Sequence, residues 1–329
     1  MNALSTAEKL FAEGKIADAI TALEADIACE ETPEKLTRLM QFRHSGFFRR
    51  EPAAARSSWP PAPVDLGWPL GEIPQIPARQ LDARMLEQGV MRHGSLIVRN
   101  LLGHEDTQAL IEAVDQAMAA YDHGESCQWY TPLRPCAENG EVRVARKWVR
   151  EGGGVLAADS PKAMELLIST LKRERILPVI EAYLGEPPAL SLKKTTLRRV
   201  SPASKSGWHQ DGAFLGNGIR TLNLWIALSD CGIDAPSMDM IPARLDRIVP
   251  TGENDADFNW SVGHEFIAAG SAGVAPVRLK FSAGDAIFFD EMNLHRTAVD
   301  DGMTRDRYAI EAWFFAPSSY PLGQIPVLC

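Results

Sequence analysis

Short apolar stretches separated by turn residues occupy the chain from about residue 186 onward. In the stretch IRTLNLWIALSD, large apolar residues alternate with other residues at Leu222, Leu224, Ile226 and Leu228. An alternation of period two is typical of a β-strand, because successive side chains of a strand point to opposite faces. Other short stretches of this kind are ALSLKKTTLRRV, DAIFFD and RYAIEAWFFA. Their spacing predicts several short strands in a sandwich or barrel.

Helical patterns precede these strands. GSLIVRNLL reads as a strand, HEDTQALIEAVDQAMAAY as an amphipathic helix, and residues 161–184 as a helical region interrupted at Pro178. Because the helices come before the strands rather than alternating with them, a doubly wound parallel sheet is disfavoured. The predicted fold is mainly β with added helices, a double-stranded β-helix (a cupin-like jelly roll) flanked by α-helices.

The pattern divides the chain into three parts. Residues 1–50 contain LFAEGKIADAITALEADI, which reads as one helix-turn-helix unit of the tetratricopeptide type. A single unit cannot form a solenoid, so we expect a helical hairpin packed on the main body or on another subunit. Residues 51–78 hold seven prolines and form a connector. The main domain is predicted over 79–329.

Composition excludes some classes of protein and favours others. The net charge of −9 argues against a general nucleic-acid binder, which usually has a basic excess. The five cysteines are scattered without a CxxC pair, which fits a reducing compartment. The sequence has no signal-peptide pattern and no apolar run long enough for a transmembrane helix. We therefore expect a soluble, cytoplasmic protein that binds neither membrane nor nucleic acid.

The sequence WHQDG contains the strongest candidate for a metal site. His209 and Asp211 are one residue apart, so on an extended strand their side chains project from the same face. His295 can supply a third ligand. Two histidines and one carboxylate on one side of a metal are the ligands of non-haem Fe(II) oxygenases. A lone His-x-Asp is also common as a surface feature or a strand-end cap, so its context decides.

Residues around His295 strengthen the metal hypothesis. Thr297, two positions later, can direct a hydroxyl to the same side as His295. Arg307 lies among apolar residues of the next predicted strand, where a buried guanidinium is costly without an anion. The alternative is that Asp290 or Glu291 is the anion that pairs with Arg307.

These motifs occur in the order of a known family. The set His209-x-Asp211, Gly284-Asp285, His295-x-Thr297 and Arg307-x-Ala309-Ile310 resembles the phytanoyl-CoA dioxygenase family of Fe(II)- and 2-oxoglutarate-dependent oxygenases. The resemblance extends from about residue 80 to 317 and leaves out the N-terminal part. The motifs are short, and their specificity lies in their order and spacing.

The resemblance implies a role for individual residues. It implies that His209, Asp211 and His295 are the catalytic Fe(II) ligands, and that Arg307 pairs with the distal carboxylate of 2-oxoglutarate. Thr297 matches a hydroxyl that helps to hold that carboxylate, and Arg305 is the rival of Arg307. Further candidates for cosubstrate contacts lie on the strand before the motif, with a solvated strand face as the alternative: Lys193, Lys194, Thr195 and Thr196.

The resemblance also implies the reaction: hydroxylation or another oxidation of a small molecule with O2, releasing succinate and CO2. One departure concerns Ile241-Pro242-Ala243-Arg244-Leu245, where the family carries a Pro-Gly-Ser-His element, so contacts to the substrate can differ. An anionic substrate is one option, and the N-terminal helices are a candidate contact for homo-oligomers. The alternatives are a cupin-type metalloenzyme that does not use 2-oxoglutarate, and an inert binding protein with the N-terminal hairpin as partner surface.

Overall fold

Three helices form the N-terminal part of the computed structural model, which describes residues 3–51, 58–62, 65–124, 126–135, 144–204, 206–216, 218–269 and 273–329. They are α1 (Ala3–Ala12), α2 (Ile16–Cys29) and α3 (Pro33–Phe47). Gly14 separates α1 from α2 with a positive φ of 80°, which glycine adopts without steric strain. Thr32 caps α3 by accepting a hydrogen bond from the Lys35 amide. The helices share a buried cluster that includes Leu23, Leu36 and Phe42, so α3 lies beyond the predicted two-helix hairpin.

The following segment carries most of the remaining helices. Its elements are β1 (Gln75–Pro77), α4 (Ala83–His93), β2 (Ser95–Arg99), α5 (His104–His123), α6 (Arg146–Glu151), β3 (Gly154–Leu156), α7 (Pro161–Arg173) and α8 (Ile176–Leu184). The predicted interruption at Pro178 is wrong. The break lies at Arg175, which has a φ of 58°, and Pro178 is in the first turn of α8. Proline is tolerated there because amides of the first turn have no partner within the helix.

The C-terminal part supplies the strands. They are β4 (Ala189–Ser191), β5 (Thr196–Val200), β6 (Thr221–Ala227), β7 (Ser237–Arg244), β8 (Val277–Arg278), β9 (Ala286–Phe289), β10 (Asn293–Ala298), β11 (Arg307–Phe315) and β12 (Pro326–Leu328), with the short helices α9 (Gly212–Leu215) and α10 (His264–Ala268) between them. The prediction of one continuous strand in ALSLKKTTLRRV is wrong. Residues 192–195 form a turn between β4 and β5, which places Lys194 outside the sheet.

Two sheets face each other. The larger sheet has the order β1-β2-β9-β6-β11-β4-β12, with β5 paired to both β11 and β3. The smaller sheet has the order β10-β7-β8. Within the larger sheet β1 and β2 are parallel, and the remaining pairs are antiparallel. This arrangement of two mostly antiparallel sheets with flanking helices confirms the predicted jelly roll.

The two faces of the larger sheet have different partners. Leu224 on β6 and Ile310 on β11 belong to a core cluster shared with helices α4, α5, α7 and α8. Trp225 and Trp313 lie on the opposite face of the larger sheet. They belong to a second cluster, which includes Met238 and Met240 of the smaller sheet. The helices therefore cover the outer face, and the space between the sheets is left for the side chains of the candidate site. Among the described helices, none is long and apolar enough to cross a membrane.

Candidate metal centre

The two candidate histidines face each other across a short antiparallel bridge. The His209 amide donates to the His295 carbonyl at 2.9 Å, and the His295 amide donates to the His209 carbonyl at 3.1 Å. His295 lies within β10, opposite Met240 of β7. Their ring centroids are 4.5 Å apart. The backbone pairing thus brings together two residues that are 86 positions apart in the sequence.

Asp211 lies close to the two histidines, but its backbone conformation differs from the predicted one. The sequence predicts an extended strand, but Asp211 has helical dihedral angles (φ −64°, ψ −23°) and precedes α9. The chain turns directly after the bridge, and the Gly212 amide donates to the Glu291 carbonyl at 3.0 Å. A Cβ at position 212 would lie 2.5 Å from Ile248 and 3.0 Å from that carbonyl. Glycine therefore permits the close approach that directs Asp211 inward.

His209, Asp211 and His295 form a cluster with the composition of a metal site. One ligand atom from each residue can be chosen so that all three lie within 4.8 Å of one another. Asp211 and His295 are 2% and 7% exposed. The Nε2 atom of His295 is 3.6 Å from Oδ2 of Asp211, and this buried Oδ2 has no hydrogen-bond partner within the described chain. A buried carboxylate oxygen without a partner is costly, and a cation at this point would satisfy it.

Hydrogen bonds orient both imidazole rings. Nδ1 of His209 donates to the Gly207 carbonyl at 2.9 Å, and Nδ1 of His295 donates to the Asn293 carbonyl at 3.3 Å. A carbonyl can only accept, so each ring carries its proton on Nδ1 and keeps the Nε2 lone pair available. Burial, together with the neighbouring His209, lowers the pKa of His295 to about 3. His295 is therefore neutral at pH 7, as a metal ligand must be.

Lys194 neutralises part of the charge of the cluster. Its Nζ donates to Oδ1 of Asp211 at 2.7 Å. Burial would raise the pKa of Asp211, but Lys194, His209 and His295 together lower it below its usual range. Asp211 is thus an ionised carboxylate that has one oxygen engaged and one oxygen free.

Arg307 is a buried cation that lacks an anionic partner. It is 2% exposed, and its Nη1 donates to the Ser237 carbonyl at 3.3 Å. Its guanidinium carbon lies 5.2 Å from the centre of the Trp225 ring. No carboxylate of the described residues lies within ion-pair distance of Arg307, and its buried Nε has no hydrogen-bond partner there. Burial, with a contribution from Arg198, lowers the pKa of Arg307 to about 10, so it remains charged.

Neither alternative partner, Asp290 or Glu291, forms an ion pair with Arg307 among the described residues. Asp290 accepts from Nε of Arg244 at 2.5 Å. Burial and the neighbouring Asp290 raise the pKa of Glu291 to about 8. Arg305, the rival candidate, is exposed and pairs through two nitrogens with Asp234 at 2.7 and 2.8 Å. Of the two arginines, only Arg307 faces the interior between the sheets.

The two candidate threonines lie on facing strands. Thr297 is half-buried on β10, and its amide donates to the Ser206 hydroxyl. Thr196 is buried at the start of β5, opposite Glu311 of β11, and donates to that carboxylate at 3.3 Å. Thr196 is therefore not on a solvated strand face, and its hydroxyl is engaged with Glu311.

Several features of the site have no clear counterpart in the sequence pattern. Trp260 and Phe214 lie 5.7 and 6.4 Å from the His209 ring, measured between ring centroids. Phe258 stacks on Trp260 at 4.9 Å. We call Phe214, Phe258 and Trp260 the aromatic wall. Phe214 is 44% exposed although it is large and apolar, and the sequence places Phe258 and Trp260 in a loop about 50 residues away from His209.

A family model and solved structures match this chain. The model of the phytanoyl-CoA dioxygenase (PhyH) family matches residues 90–299. The structure titled as EctD from S. alaskensis with 2-oxoglutarate and 5-hydroxyectoine is 16% identical, with a TM-score of 0.50 over 80% of this chain and 81% of that chain. EvdO2 from Micromonospora carbonacea var. aurantiaca, complexed with 2-oxoglutarate, is 16% identical, with a TM-score of 0.50 over 76% and 94%. No curated protein sequence matches significantly.

The match to the family model covers well over half of the chain, so the chain belongs to the phytanoyl-CoA dioxygenase family. The two structures show the same fold. The predicted class is confirmed: the protein is an oxygenase of the Fe(II)- and 2-oxoglutarate-dependent kind.

Proposed function

We propose that His209, Asp211 and His295 hold Fe(II), and that the protein uses 2-oxoglutarate and O2 to oxidise a small molecule. The observation that carries this proposal is the ligand cluster itself, in which one ligand atom from each of the three residues lies within 4.8 Å of the others and Oδ2 of Asp211 has no hydrogen-bond partner within the described chain. Two histidines and one carboxylate fit Fe(II) with open positions for further ligands. When bound, the iron would supply the redox chemistry that activates O2.

Arg307 and Thr297 are the proposed site for the distal carboxylate of 2-oxoglutarate. The Ser237 carbonyl that accepts from Arg307 belongs to a residue paired with Ala298, the neighbour of Thr297 on β10. Two residues of strand, roughly 7 Å, separate Thr297 from His295. A dicarboxylate of that length can reach from the ligand cluster to the Arg307 guanidinium, which would then gain the anion that its buried charge lacks.

Thr196 contributes indirectly in this proposal. Its hydroxyl holds the Glu311 carboxylate, which also accepts from the Trp313 indole at 3.1 Å. Arg198 lies 3.7 Å from the same carboxylate. Glu311 and Arg198 thus provide a pair of opposite charges beside Thr196.

The substrate is proposed to be a small molecule with an apolar part. The aromatic wall lies against His209, with Phe214 exposed and the other two rings half-buried, and aromatic rings beside a metal site favour contact with apolar ligand surface. Lys194 lies 5.4 Å above the Phe214 ring, and with Arg198 it favours a substrate that also carries negative charge.

The proposal also covers the cellular location and the oligomeric state of the protein. Cys29, Cys127, Cys231 and Cys329 are free thiols, which fits the predicted cytoplasmic location. Association of the chain with itself through α1–α3 stays a prediction, and light scattering of the purified protein would test it.

Our first prediction concerns Arg307. The Arg307→Ala variant should lose at least about 100-fold in kcat/KM for 2-oxoglutarate, because a bidentate charge-assisted contact contributes roughly 3 kcal/mol. Arg305→Ala is the matched control and should be unaffected, since Arg305 pairs with Asp234 on the surface. Succinate release with Fe(II), O2 and 2-oxoglutarate is the measurement. Equal turnover by Arg307→Ala and wild type would rule out this cosubstrate site.

A further inference from the structure

Lys194 is not one of the three candidate ligands, and the sequence suggests it only as a cosubstrate contact on the strand before the motif. In the structure it belongs to the turn between β4 and β5. Its amide donates to the Ser191 hydroxyl at 3.0 Å, and this hydroxyl also bonds the Gln324 carbonyl near β12. The Leu192 amide, two residues earlier, donates to the Ile325 carbonyl at 2.9 Å. The backbone of the turn is thus anchored on the residues directly before β12, and the lysine projects from a fixed base.

The Lys194 amine is fixed at its far end as well. Nζ bonds Oδ1 of Asp211 at 2.7 Å and lies 5.4 Å from the centre of the Phe214 ring. The lysine side chain is 27% exposed and the Asp211 side chain 3% exposed. A contact between a partly buried ammonium and a buried carboxylate is screened little by solvent, so it holds the orientation of the carboxylate.

The contact distinguishes the two oxygens of Asp211. Oδ1 faces Lys194, whereas Oδ2 lies toward His295 and has no hydrogen-bond partner within the described chain. A carboxylate can bind a metal through one oxygen or through both. Ligation through both oxygens would bring the metal onto Oδ1 beside the Lys194 ammonium, where the two positive charges repel each other.

We infer that Lys194 is a positioning residue, which engages one oxygen of Asp211 and so presents the other oxygen to the metal as a single ligand. This inference rests on the proposed function of the cluster. Single-oxygen ligation keeps one more position of the metal open than ligation through both oxygens would. Lys194 therefore preserves the space in which cosubstrate and O2 are proposed to bind.

Co(II) titration of the metal-free full-length protein tests the inference without any turnover, because the absorption spectrum of Co(II) depends on the number and geometry of its ligands. Lys194→Met removes the donor and keeps an unbranched side chain that is one atom shorter. We expect its dissociation constant for Co(II) to rise about 10–100-fold, the usual effect of losing a partner of a metal ligand. We also expect its Co(II) spectrum to differ from that of the wild type.

Two further variants serve as comparisons. Lys194→Arg keeps a cationic donor and should retain the wild-type spectrum and most of the affinity. Lys193→Met is the matched control: Lys193 is adjacent in the same turn and forms no ion pair among the described residues, so its titration should match the wild type. If Lys194→Met does not fold, Lys194→Leu, which also lacks a donor, takes its place.

The outcomes separate this inference from the proposed function. A Lys194→Met protein with an unchanged spectrum, or with an affinity equal to or tighter than that of the wild type, would overturn the positioning role. Wild-type protein that binds no Co(II), or binds it equally well after His209→Ala, would contradict the metal site itself.

Discussion

His295 is a residue whose protonation is controlled by opposing influences. Burial and the neighbouring His209 lower its pKa to about 3, while Asp211 and the Asn293 carbonyl act in the other direction. In an unfolded chain the same imidazole has its ordinary pKa of about 6.5. Between these two values the unfolded chain binds the proton more readily than the folded protein does, so acid favours unfolding.

The resulting prediction concerns the metal-free protein between pH 7 and pH 5. Its free energy of unfolding should fall as the pH is lowered below about 6.5, and His295 should contribute up to about 1.4 kcal/mol per pH unit. The His295→Gln variant should lose that share of the pH dependence, whereas Asp211, with its lowered pKa, contributes only at lower pH. Urea unfolding at several pH values measures this. If the free energy of unfolding of His295→Gln depends on pH in the same way as that of the wild type, the prediction is contradicted.

At the scale of the element, the smaller sheet depends on one aspartate. Asp239 on the central strand β7 accepts hydrogen bonds from Arg278 of β8 and from Arg296 of β10. Asp239 is 6% exposed. One of the two strands that Asp239 joins to β7 is β10, which carries His295 and Thr297. A polar contact in the middle of the sheet thus supports two residues of the proposed site.

We therefore expect Asp239→Ala to lower the free energy of unfolding by about 2–3 kcal/mol, because two arginines lose a buried charged acceptor. Asp300→Ala is the matched control. Asp300 also pairs with Arg278 but is 61% exposed, so its loss should have an effect of about 0–1 kcal/mol. Chemical denaturation of both variants checks the difference. A similar decrease in the free energy of unfolding for Asp239→Ala and Asp300→Ala would show that burial of Asp239 adds nothing to the stability.

At the scale of the whole molecule, Arg43 joins the N-terminal helices to the rest of the protein. Its side chain is fully buried on α3 and pairs with Glu24 of α2 and with Glu165 of α7. Its Nη1 also donates to the Leu328 carbonyl on β12 at 3.1 Å. One guanidinium therefore links α2, α3, the helical layer and the C-terminal strand.

Replacement of Arg43 by methionine should destabilise the protein by about 3 kcal/mol, because it leaves the partly buried Glu165 carboxylate without its ion pair and Glu24 with Lys172 alone. Arg38→Met on the same helix is the control. Arg38 pairs with Glu8 at a largely exposed position, where an ion pair contributes about 0–1 kcal/mol. Calorimetric measurement of the thermal unfolding of Arg43→Met and Arg38→Met makes the comparison. If Arg43→Met is as stable as the control, this guanidinium does not contribute to holding α1–α3 on the body.

Local patterns were enough to predict much of the fold. The alternation in β6 and the helical period of α5 are properties of neighbouring residues, and both elements form where the pattern places them. The wrong predictions concern backbone conformation at single residues. Arg175, rather than Pro178, interrupts the helices, and residues 192–195 leave the sheet, because a left-handed residue and a turn carry weaker sequence patterns than an apolar alternation.

The sequence by itself determined the class of the protein: residue types, order and spacing were enough to indicate His209, Asp211, His295 and Arg307, since chemistry restricts which side chains can bind a metal or a dicarboxylate. Only the tertiary structure decided how these residues meet. The bridge between His209 and His295, the turn at Asp211 and the contact with Lys194 join segments that are distant in the chain. Such contacts depend on the packing of two sheets, and no local pattern contains that information.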